Sequence, residues 1–106
     1  MANYLLLYSG GSMPESEAEQ KAVIQAWTAW YGSLGSALVD PGNPTTGQAK
    51  TISSDGSVSN GASGMAASGY TIIKANSLDE AVQMAKGCPV MQGGANITVL
   101  ETFQVM

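Results

Sequence analysis

The first apolar block, Tyr4-Leu5-Leu6-Leu7-Tyr8, is unbroken and closes on Ser9-Gly10-Gly11. A short run of aromatic and aliphatic residues ended by glycines predicts a strand buried on both faces, in the middle of a sheet. The next apolar residues are spaced differently. Val23, Trp27, Trp30 and Leu34 recur at intervals of four, three and four, with Ile24 and Tyr31 beside them. That period predicts one wide apolar face of an amphipathic helix. Two capping boxes precede it, Ser12 with Glu15 and Ser16 with Glu19. Pro14 lies near the start, where proline is tolerated. Glu15, Glu17 and Glu19 sit where the helix dipole favours negative charge. Gly32 and Gly35 mark the end.

Ala37-Leu38-Val39 begins a second strand, which Asp40-Pro41-Gly42-Asn43-Pro44 breaks. Residues 42–69 are rich in Gly, Ser, Thr and Asn. Within this mobile-looking stretch, strand-like runs at 49–53 and 57–59 flank Asp55-Gly56, a hairpin signal. Residues 61–68 read as loop. Residues 70–75, Tyr-Thr-Ile-Ile-Lys-Ala, form a firm strand pattern. Ser77 with Glu80 makes a third capping box, and Leu78, Ala81, Val82 and Ala85 continue at helical spacing. Gly87 stops that helix and Pro89 lies just beyond. After Gly93-Gly94, residues 97–103 predict the last strand.

The order is strand, helix, strand or hairpin, strand, helix, strand. It predicts one α+β domain over residues 1–106, of ferredoxin-like βαββαβ type, with two helices on one face of an antiparallel sheet. Two helices cover only one face. The opposite face is apolar as well, so a second copy of the chain is the simplest cover, giving a homodimer in the form of a dimeric α+β barrel.

Charge sharpens that expectation. Only 11% of the 106 residues are charged, against about 25% in an average domain. Such a surface is weakly defended against association. The cations are Lys21, Lys50, Lys74 and Lys86, the net charge is -4, and there is neither arginine nor histidine. No basic face is available for nucleic acid, and anionic membranes are excluded as partners for the same reason. The apolar run at 4–8 is too short for a signal-peptide core or a span. Cys88 is the single cysteine, so no internal disulfide can form, which suits a reducing, cytoplasmic compartment.

The missing histidine also removes nucleophilic triads, histidine bases and histidine metal sites. One cysteine and dispersed carboxylates leave no metal centre, no cofactor and no catalytic constellation to assign. Gly10-Gly11-Ser12 reads as a tight strand-to-helix turn rather than an anion site, since it lacks the spaced glycines or lysine of a phosphate loop. Cys88 follows a helix C-terminus, which disfavours a thiolate, and reads as a packed thiol. Trp27, Trp30 and Tyr31 read first as core. The same helix face closes against the sheet, however, so these aromatics are also candidates to line a pocket for a flat apolar ligand. Tyr8, Tyr70 and Met84 could complete its wall, with Asp55 and Asn60 as polar groups, although turn chemistry explains both of those.

Taken in order, 4–8, the Trp27/Trp30 helix, Asp55-Gly56, 69–73, 77–81, Cys88-Pro89 and the closing strand resemble the YCII-related family, in the branch called the DGPF domain. The sequence departs from it at Asn60-Gly61-Ala62-Ser63, where only the glycine fits the signature. The resemblance implies a dimeric ferredoxin-like fold with a cleft between sheet and helices. Some relatives are thought to act as lyases or isomerases on small ring compounds through a His–Asp pair, which this chain cannot form. Three functions follow as expectations: a homodimer binding a small hydrophobic molecule; a cofactor-independent isomerase, lyase or oxygenase using Asp55, Tyr8 or Tyr70 to handle protons; or a dimerisation module.

Overall fold

The computed structural model describes residues 1–11, 15–62 and 67–105. Its elements are β1 (Ala2–Ser9), α1 (Glu17–Leu34), β2 (Leu38–Asp40), β3 (Lys50–Ile52), β4 (Val58–Asn60), β5 (Ala67–Ala75), α2 (Leu78–Ala85) and β6 (Asn96–Glu101). Short 3-10 turns at Gly35–Ala37 and Pro89–Gly93 lead into β2 and follow α2. The main sheet runs β2-β5-β1-β6, every neighbouring pair antiparallel. The protein is therefore an α+β fold with an antiparallel sheet and two helices, compatible with the ferredoxin-like plan.

Period-two alternation decides the two faces of this sheet. On one face Tyr4, Leu6 and Tyr8 stand opposite Ile73, Thr71 and Gly69 of β5, and Leu6 and Tyr8 also oppose Val99 and Ile97 of β6. These positions join Trp30 of α1 and Ala81 and Ala85 of α2 in one core. Both helices thus lie on that face. The other face carries Leu5, Leu7, Tyr70, Ile72, Thr98 and Leu100. Leu5 and Leu7 are only half-buried, so β1 is not covered on both faces as its unbroken apolar run suggests. The reason is that two helices cover only one side.

Capping fixes where each helix begins. Ser16 Oγ accepts the Glu19 N–H at 3.2 Å; the alternative cap Ser12, with Pro14, lies outside the described residues. Ser77 Oγ accepts the Glu80 N–H at 3.1 Å, and the Glu80 carboxylate accepts the backbone and side-chain N–H groups of Asn76. The α1 stripe is narrower than its spacing implies. Trp30 alone is buried, Val23, Trp27, Tyr31 and Leu34 are half-buried, and Ile24 is 59% exposed. In α2 the two buried residues are alanines, which lets the helix sit close to the sheet.

The Asp55-Gly56 hairpin forms, but apart from the main sheet. Lys50, Thr51 and Ile52 pair with Asn60, Ser59 and Val58. Asp55 Oδ1 accepts the Ser57 N–H and hydroxyl at 2.9 and 2.7 Å, the turn chemistry expected of that residue. Ile52 and Val58 are exposed. The radius of gyration is 15.3 Å, against about 13 Å for a compact chain of this length. The outlying hairpin and the exposed residues after Glu101 account for the excess. Of the expected loop at 61–68, Ala67 and Ser68 instead begin β5, and 63–66 lie outside the described residues.

Candidate functional site

Where β1 leaves the sheet and β5 enters it, a cavity of about 820 Å³ opens. Its walls come from one ridge of α1, the Gly10-Gly11 turn, the 41–44 loop, the start of β5 and the turn after α2. The loop is held by an Asx turn, in which Asp40 Oδ1 accepts the Gly42 N–H at 2.8 Å. Gly42 has φ +72°, and a side chain there would run into the Tyr70 carbonyl. Glycine is required here for conformation and for clearance.

Four of the candidate pocket residues, Tyr8, Trp27, Tyr31 and Tyr70, line this cavity. Trp27 meets Tyr8 edge-on, with centroids 5.8 Å apart and planes inclined at 67°, and meets Tyr31 at 5.6 Å and 47°. The other three candidates lie elsewhere. Trp30 is buried behind Trp27, 5.7 Å away, and its indole N–H donates to the Met84 carbonyl at 3.1 Å. Met84 packs against the core on the far side of that bond. Asp55, and Asn60 with it, belongs to the hairpin, outside the cavity wall.

Beneath the cavity runs a chain of hydrogen bonds. The Cys88 thiol donates to Tyr8 Oη at 3.5 Å, Tyr8 donates to Thr71 Oγ1 at 2.6 Å, and Thr71 donates to the Pro41 carbonyl at 3.0 Å. Tyr31 Oη donates to the same carbonyl at 3.4 Å. Among the described residues no buried side-chain nitrogen or oxygen lacks a partner. Burial pushes the Tyr8 phenol far above the ordinary tyrosine range, despite the opposing bond with Thr71. Burial also raises Cys88 and Tyr31. All three therefore stay protonated at neutral pH. They can donate hydrogen bonds, but none is poised to abstract a proton.

Thr71 and Pro41 were not singled out by sequence reasoning. The available signal was Thr71 at the core-facing register of an otherwise apolar strand, since a buried hydroxyl needs a partner. The carbonyl that satisfies it comes from residue 41, thirty positions away, and nothing local identifies it.

Among the described residues, no three His, Cys, Asp or Glu side chains gather as a metal site would require, and no helix is long and apolar enough to cross a membrane. No protein-family model matches the chain, and no curated protein sequence matches it.

Proposed function

We propose that this chain is a YCII-related, ferredoxin-like protein that pairs through its open sheet face and binds a small hydrophobic molecule in the cavity beside Trp27. The observation that carries the binding reading is the cavity itself, about 820 Å³ with Tyr8, Trp27 and Tyr31 on its wall. That size and lining suit a small organic ligand. The ordered motifs and the β2-β5-β1-β6 order support the family reading. Leu5, facing Ile72 on one side and Leu100 on the other, supports pairing through that face. The single buried thiol, Cys88, suits a reducing compartment.

Binding is favoured over catalysis because the cavity offers no base. Tyr8 holds its proton, and Asp55 is hydrogen-bonded within the hairpin. Native mass spectrometry of the purified chain is expected to show an organic adduct, or to show one after incubation with apolar ring compounds. Val23→Trp, which fills the cavity from α1, should abolish the adduct with the fold intact. Failure of every such compound to bind the unaltered chain would overturn the reading.

A further inference from the structure

The ridge of α1 that faces the cavity is Glu19, Val23, Trp27 and Tyr31, each four residues after the last. Glu19 is the one charged residue on the cavity wall, and its side chain is exposed at the mouth. None of the four lysines lines the cavity, and the chain has no arginine or histidine. Nothing is therefore placed to neutralise an anion, and both Glu19 and the net charge of -4 oppose one. Deeper in, the inclinations of 67° and 47° set Tyr8, Trp27 and Tyr31 as walls meeting at angles, not as a parallel stack. Rings arranged as converging walls present negative π-faces to one point, the arrangement that holds an organic cation.

We infer that the cavity selects an organic ammonium, a positive nitrogen carried on an apolar body, over neutral or anionic molecules of the same shape. The inference rests on the small-molecule reading above and names the class of ligand. Its parts have separate roles. Glu19 and Trp27 are two helical turns apart, about 12 Å along the axis, so one nitrogen cannot touch both. The rings hold the cation after entry. The Glu19 carboxylate draws it to the mouth, an attraction that salt screens.

Three probes share a benzyl group and a tetrahedral head but differ in charge: benzyltrimethylammonium, benzyl methyl sulfone and phenylmethanesulfonate. Isothermal titration calorimetry at low ionic strength should find the ammonium bound about tenfold tighter than the sulfone, with the sulfonate weakest. Glu19→Gln alters an exposed residue. It should weaken ammonium binding roughly two- to fourfold at low salt, lose that effect at high salt, and leave the sulfone unchanged. Trp27→Leu should bring ammonium and sulfone close to parity. If the sulfone or sulfonate binds the unaltered chain as tightly as the ammonium, cation selection is overturned while the binding reading stands. If none of the three binds, the binding reading falls too.

Discussion

Thr71 is fully buried on the core face of β5 and is held between the Tyr8 hydroxyl and the Pro41 carbonyl. Thr71→Val keeps the shape but leaves the Tyr8 hydroxyl without its acceptor, so urea denaturation should show a loss of about 1–3 kcal/mol. The raised phenol and thiol also set a pH dependence. The folded chain keeps protons on Tyr8 and Cys88 that the unfolded chain releases from about pH 10 and pH 8.5 respectively. Their contribution is complete below about pH 8.5 and is lost as pH rises. Denaturation midpoints at pH 7, 9 and 10.5 should decline in that order, with a shallower final step in Tyr8→Phe. Gly42→Ala should cost more than about 2 kcal/mol, from positive φ and the blocked approach of Tyr70. Gly56→Ala, at φ +91° with open space around it, should cost less. The Asp40-Pro41-Gly42 break was legible as a turn. That it sets the acceptor of a buried network was not, because the partners arrive from strands distant in sequence.

At the scale of elements, capping and alternation were readable because they act within a few residues. Ser77 and Glu80 cap α2 as their spacing implied, and Ser77→Ala should cost about 1 kcal/mol in thermal or chemical melts. Competing caps are harder to separate, and for α1 the bond at Ser16 is what identifies the start. The hairpin was legible from Asp55-Gly56, while its separation from the main sheet depends on packing that local sequence does not encode. A two-stranded hairpin exposed on both faces is marginal by itself. Hydrogen exchange should therefore find the amides of β3 and β4 exchanging orders of magnitude faster than those of β1, which has a strand on each side.

For the whole molecule, the consequential asymmetry is between the two faces of one sheet. Tyr4, Leu6 and Tyr8 are sealed by helices, while Leu5 and Leu7 of the same strand are half-buried. An unbroken apolar run cannot distinguish these faces, because it lacks the alternation that a solvent-facing side would leave. The proposed pairing places Leu5 at the centre of the contact. Light scattering at micromolar concentration should return a dimer for the unaltered chain and a monomer for Leu5→Lys, with far-UV circular dichroism showing the fold retained. A monomer in both would remove the second copy from the picture. The cavity was legible only in part. Aromatics at helical spacing suggested a wall, but rotation of α1 about its axis decides that Trp27 faces the opening and Trp30 the core.

That division of labour gives the protein a built-in optical gauge. The two indoles lie 5.7 Å apart with planes at 77°, close enough for their electronic transitions to mix and produce a paired positive and negative band in circular dichroism. Trp30 is pinned by its bond to Met84, whereas Trp27 borders open space. A guest that turns Trp27 changes the angle between the two dipoles and so the height of that couplet. Replacing either indole with phenylalanine should erase it, which would let occupancy be followed in the unlabelled chain.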